Sequence, residues 1–206
     1  MIMYAVRTGT KRNLAGIRAK GWGLLISAQG VLRDEGFTEL GLDNGAWTTR
    51  NKKPFDAVKF RRALKLFGKR VRFVVVPDIV FGGKASLEFS LSWLSEVQGE
   101  TERVLIPVQD DMEPADIEGL LGSKVGVFIG GGDDFKERSA GMWCALARSR
   151  GAWCHMGRVN AMRRIHIAMA AGCNSIDGSG ASRFFKHQSR VHRAVSQTSL
   201  LVEPTE

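Results

Sequence analysis

The residues best suited to chemistry sit where short apolar runs give way to small or polar residues. In Asn174-Ser175-Ile176-Asp177-Gly178-Ser179-Gly180 an acid follows a brief apolar stretch and precedes two spaced glycines. This reads as a short strand emptying into a glycine-rich loop, with Asp177 on a rigid element and Gly178 and Gly180 letting a ligand come close. Asp43 closes Leu40-Gly41-Leu42, Asp78 follows Pro77, and Gln109 follows Val108. Gly130-Gly131-Gly132 follows Ile129, and Gly157-Arg158 follows Met156. Together these groups suit a planar heterocycle bound to a sugar. Asp and Gln can pair with the N–H and carbonyl edge of a purine, and glycine backbone can reach the same edge. A further carboxylate can attack an anomeric carbon, because an oxocarbenium-like transition state favours a neighbouring anion. Read singly, each has a plainer explanation. Asp177 could cap the next helix. Asp43-Asn44-Gly45 is also a turn signal. Asp78 could merely end a strand, and the triple glycine matches neither GxGxxG nor a P-loop.

The elements that must position these groups alternate along the chain. Strands are expected at 2–6, 22–27, 40–43, 71–76, 104–108, 125–129, 152–156 and at Asp177. The run 71–76 is β-branched and continuously apolar, as a buried parallel strand is. Helical spacing appears over 11–20, with Leu14, Ala15 and Ile17 as an apolar face, and from Asp56 to Gly68, with Val58, Ala63, Leu64 and Phe67. It returns over 86–97, 114–121, 136–150, 161–171 and 184–197. Residues 30–39 are turn-rich. Strand–helix alternation argues a parallel sheet, and eight units suggest a compact (β/α)8 TIM-like barrel with the listed strand ends on one mouth. A doubly wound open sheet is the alternative. The 206 residues fit one domain, taken as 1–199 with a tail at 200–206.

Composition narrows the function. Hydrophobic content of 44% and charged content of 25% are those of a globular protein. No apolar run could span a bilayer, and the first residues lack the layout of a signal peptide, so a cytoplasmic location is expected. Cys144, Cys154 and Cys173 have no CxxC spacing and read as buried thiols in a reducing compartment. The histidines form no HExxH pattern. Neither a metal nor a redox cofactor is expected. The net charge of +9 points to a polyanionic partner. Arg158, Arg163 and Arg164 follow one strand end, and Arg183, Lys186, Arg190 and Arg193 recur after Asp177. Such residues suit phosphate contacts, although Arg190 and Arg193 could equally coat a surface helix.

Read in order, Asp-Asn-Gly-Ala-Trp, Val-Pro-Asp-Ile-Val, Pro-Val-Gln-Asp, Ile-Gly-Gly-Gly, His-Met-Gly-Arg and Ser-Ile-Asp-Gly resemble motifs of the tRNA-guanine transglycosylase superfamily. The resemblance spans roughly residues 40 to 185 as short motifs, not as continuous identity. It implies a (β/α)8 barrel that exchanges guanine in a polynucleotide for a 7-deazaguanine. It implies Asp177 as nucleophile, Asp43 as acid/base, Asp78 and Gln109 as the base-reading pair, and Gly131 and Gly132 as backbone contacts to the base. The family's tRNA enzymes are longer and carry a cysteine–histidine zinc site after the barrel strands, which this chain lacks. A compact, basic relative is therefore more similar to the DNA-modifying branch, which places 7-deazaguanines in phage or bacterial DNA. DNA is the favoured partner, with RNA possible. Arg158, Arg163, Arg183, Lys186 and Arg190 would line its path. Two other functions use the same residues: a hydrolase or deoxyribosyltransferase on free nucleosides, and a catalytically silent nucleic-acid-binding module.

Overall fold

A computed structural model describes residues 1–7, 10–50 and 54–196. The predicted tail at 200–206 lies outside the described residues. Eight parallel strands close into a barrel in chain order: β1 (Ile2–Val6), β2 (Gly23–Ser27), β3 (Leu40–Asp43), β4 (Val74–Val75), β5 (Val104–Val108), β6 (Val125–Ile129), β7 (Cys154–Met156) and β8 (Ser175–Gly178). Closure is made by β8 pairing with β1, with Tyr4 opposite Asp177. An open sheet is thereby excluded.

The helices are α1 (Lys11–Ala19), α2 (Ala46–Thr49), α3 (Ala57–Phe67), α4 (Gly83–Glu100), α5 (Asp133–Ser149), α6 (Met162–Ala171), α7 (Gly180–Arg183) and α8 (Phe185–Ser196). No helix separates β2 from β3, where the turn-rich segment lies. Between β5 and β6 the expected helix at 114–121 is replaced by two 3-10 turns, Pro114–Asp116 and Glu118–Leu120. Pro114 and Gly119 discourage a longer helix, and Glu113 and Asp116 cap the first turn reciprocally. Omitting two helical returns is how a short chain closes eight strands.

The expected strand at 71–76 pairs by full ladder only at Val74–Val75. Its flanks still bond outward, Arg72 N–H to Leu40 O and Val76 N–H to Leu105 O. Two helix faces also differ from expectation. Val58 is 77% exposed, and Phe60 takes the inward place beside Ala63, Leu64 and Phe67. Ala15 is exposed while Asn13 and Gly16 turn inward with Leu14 and Ile17.

Two apolar layers hold the barrel. The larger lies between strands and helices. The smaller fills the lumen with Tyr4, Leu25, Phe73, Val75 and Leu105. Tyr4 meets Phe73 edge-on at 5.2 Å, and Phe128 stacks on His155 at 5.1 Å. A Cβ on Gly41 would stand 2.8 Å from the Phe73 ring, so that strand position must stay small. The Tyr4 hydroxyl donates to Glu39, which is clamped by Arg72 through two bonds of 2.6 Å. This aromatic plug closes the lumen below the site and fixes the strand ends above it. Among the described residues no helix is long and apolar enough to cross a membrane.

Candidate active site

The carboxyl-terminal strand ends enclose a cavity of about 370 Å³, within the range of ligand pockets, roughly 300–1,000 Å³. Asp43, Asp78, Gln109, Gly131, Arg158, Asp177 and Arg183 all line it. Residues spread over 140 positions of sequence therefore meet at one mouth, because each ends, or closely follows, a parallel strand of one barrel.

Asp177 is 4% exposed. Its Oδ2 accepts from the Arg158 backbone N–H at 3.1 Å and lies 3.1 Å from His155 Nε2. Among the described residues no hydrogen bond falls on Oδ1. Arg158 adopts a left-handed backbone at φ 57°, uncommon for a residue other than glycine, and this conformation accompanies the N–H contact to the acid. The histidine belongs to a longer series. The Trp153 indole N–H donates to Ser175 Oγ at 2.9 Å, and Ser175 Oγ lies 2.7 Å from His155 Nδ1. An indole only donates. The Ser175 oxygen accepts from the indole, so its own O–H can go to Nδ1, the tautomer in which Nε2–H donates to Asp177 Oδ2. Each group in the chain from Trp153 to Asp177 then has a consistent direction. His155 is wholly buried between Phe73, Phe128 and Tyr4, which fix its ring.

Asp43 is half-buried, with Oδ2 accepting from Gly45 N–H at 3.0 Å. Gly45 sits at φ 81°, the conformation that turns the chain into α2. Burial pushes the Asp43 carboxyl up to about 7, and the charges of Asp177 and Asp78 add to the rise. Burial pushes Asp78 up to about 6, against hydrogen bonds from Asn44 and Gln109. Asn44 Nδ2 donates to Asp78 Oδ1 at 2.8 Å and to Val76 O at 2.7 Å.

Gln109 reaches the cavity, but its amide is bonded to protein. Nε2 donates to Asp78 Oδ2 at 2.7 Å, with Ser86 Oγ and Ile79 O also close, and Oε1 accepts from Gly82 N–H at 3.1 Å. In this arrangement it braces Asp78 and the Ile79–Gly82 turn. Gly131 lines the cavity at φ 67°. Gly132 does not; its N–H goes to Asp110 Oδ2 at 3.3 Å, and Gly130 takes the cavity position.

The basic residues divide. Arg158 and Arg183 are at the mouth. Lys186 and Arg190 are exposed on α8, and among the described residues no carboxylate pairs with Arg183, Lys186 or Arg190. Arg163 is committed to Glu137 at 3.0 Å, so its charge is partly answered. Trp47 had no role in the sequence reading. The Arg158 guanidinium lies 3.2 Å and that of Arg50 3.6 Å from its ring centre, and the exposed Phe81 meets it edge-on at 5.7 Å.

Also missed were His155, Ser175 and Asn44. Period-two alternation would have found Ser175, which shares a face with Asp177, and His155 is its ladder partner on β7. The three cysteines are likewise brought together, with all three Sγ atoms within 4.8 Å of one another. Their reading as unrelated buried thiols is corrected: burial holds, but separation in sequence hid a cluster.

Fold and cavity together define a TIM-like barrel with a carboxylate-lined mouth. No family model matches the chain, and no curated protein matches it.

Proposed function

We propose that this barrel is a base-exchange transglycosylase that replaces guanine in a polynucleotide, DNA in preference to tRNA, with a 7-deazaguanine. The observation that carries this reading is the contrast between two acids in one cavity. Asp177 receives hydrogen bonds suited to a carboxylate, whereas Asp43 is held up near pH 7 and can carry a proton. Two acids in such different surroundings suit a nucleophile and an acid/base.

The target nucleoside is turned out of the duplex into the mouth. The exposed Phe81 offers an aromatic face for stacking, while Arg158, Arg183, Lys186 and Arg190 supply phosphate contacts. Asp78 faces the purine edge, braced by Asn44 and Gln109, and Gly131 brings backbone close. Asp177 Oδ1 attacks C1′, the C1′–N9 bond breaks, and Asp43 gives its proton to the departing guanine. Asp43 then takes the N9 proton of the incoming 7-deazaguanine, whose nitrogen displaces Asp177 from C1′. The acids return to their starting protonation, and the polynucleotide backbone is never cut.

The test is nucleoside mass spectrometry after incubating duplex DNA, single-stranded DNA or tRNA with the protein and a 7-deazaguanine. Incorporation into DNA, absent with Asp177→Asn, is expected. Incorporation into free deoxyguanosine alone would favour a nucleoside deoxyribosyltransferase. Absence of transfer to any of these acceptors would overturn the reading.

A further inference from the structure

Far from the mouth, Cys144 on α5, Cys154 at the start of β7 and Cys173 just before β8 point into one spot. Cys144 Sγ is 3.2 Å from both Cys154 Sγ and Cys173 Sγ, and all three side chains are buried. Cys154 begins β7 and Cys173 just precedes β8, so the cluster they form with Cys144 of α5 lies at the end of the barrel opposite the carboxylates of the mouth. The function proposed for the mouth uses none of them.

We infer that Cys144, Cys154 and Cys173 form a three-thiolate site for a thiophilic d10 cation, zinc(II), with water as the fourth ligand. Three sulfurs converging from separate elements match the ligand set that soft cations select. Zinc–sulfur bonds of about 2.3 Å in a tetrahedron place sulfurs roughly 3.8 Å apart. Cys144 Sγ needs to move only about 0.6 Å further from each of Cys154 Sγ and Cys173 Sγ to reach that spacing. Two further features favour a cation here. A cavity of about 270 Å³ borders the cluster, lined by Cys144, Arg148, Gly151, Ala152, Gly172 and Asn174, which gives an access route and room for the water. Arg148, tethered to Ala171 O at 3.1 Å, stands beside Cys144. Three thiolates and Zn2+ sum to one negative charge, which this guanidinium offsets. Binding releases the thiol protons and ties α5 to β7 and β8.

The test uses the full chain purified under reductant, loaded with Zn2+, desalted and measured by elemental mass spectrometry. A parallel sample is titrated with Co2+. About one zinc per chain is expected, together with a sulfur-to-cobalt charge-transfer band in the near ultraviolet. Cys144→Ser should lose the band, and its melting temperature should no longer rise on adding zinc. Should that variant fail to fold, mercurial titration of the wild type should release zinc in step with the loss of three thiols. Three free thiols with no retained zinc and no charge-transfer band would overturn the site. So would a thiol count showing two of the cysteines joined as a disulfide. The readouts are independent of base exchange, so failure of either idea leaves the other standing.

Discussion

Asp43 carries a proton at a pH where an ordinary carboxylate has lost it, and this has a thermodynamic consequence. Its folded pKa near 7 exceeds the ordinary value of 3.8. Between these values the folded state binds more protons than the unfolded one, so stability falls as pH rises through that window. Each pH unit of it costs the fold about 1.4 kcal/mol. Asp43→Asn should therefore melt higher than the wild type at pH 8, with the gain shrinking to nothing near pH 4, while exchange is lost. Thermal melts at both pH values check this; an equal gain at both would contradict the assigned protonation. In the proposed function Asp78 reads the base. Removing a partner leaves polar groups of a buried base unpaired at about 1–3 kcal/mol, roughly ten- to hundredfold in affinity. Asp78→Ala should weaken free 7-deazaguanine by that factor in calorimetry and leave DNA binding unchanged. Equal weakening of both ligands, or of neither, would refute the purine-edge role. In the proposed mechanism the buried His155, 3.1 Å from Asp177 Oδ2, positions that acid without touching substrate. A hydrogen bond to a charged group contributes about 1.5–3 kcal/mol, so His155→Ala should lower kcat roughly ten- to hundredfold with base affinity unchanged. His155→Gln, which retains a donor, should recover part of the loss. Loss of binding and kcat together would instead indicate a collapsed lumen.

Among the elements, strand ends were the most legible. Val104–Val108 and Val125–Ile129 match the predicted strands residue for residue, because continuous apolar runs between turn signals leave little choice. Asp43 was readable as the end of β3 for the same reason, and Asp177 from the acid and small residues that follow Ile176. Contacts made across strands were not. Gln109 was legible as a polar group at a strand end, but its bond to Asp78 depends on β4 and β5 being neighbours. His155 was examined for metal-ligand spacing along the chain, whereas its partners Ser175 and Asp177 lie on the adjacent strand. The cysteines escaped for the same reason, one on a helix and two at strand starts. On α8 the spacing of Lys186 and Arg190 was legible, and both are exposed. If α7 and α8 follow the nucleic-acid backbone, Arg183→Ala, Lys186→Ala and Arg190→Ala should each weaken DNA binding irrespective of sequence. Each should lower the slope of log affinity against log salt by roughly 0.7–0.9. Fluorescence anisotropy across a salt series measures it, and an unchanged slope would mark these residues as plain surface charge.

For the whole molecule, a chain of this length closes a barrel by leaving out helices between β2 and β3 and between β5 and β6. The aromatic lumen around Tyr4 and Phe73 then forms a solid floor, and the mouth above it holds the acids. The net charge of +9 belongs to the chain as a whole, and the proposed function uses it to attract a polyanion. Nothing in the mechanism needs a group at the opposite end, so chemistry and any metal at the cysteines are separable. The central claim is that Asp177 bonds to C1′. It is tested by incubating the protein with a guanine-containing oligonucleotide, quenching in acid, and mapping proteolytic peptides by mass. The mechanism requires an adduct of base-free oligonucleotide on the peptide containing Asp177, discharged by added 7-deazaguanine and absent from Asp177→Asn. Exchange that proceeds with Asp177→Asn, or an adduct on any other residue, would contradict it.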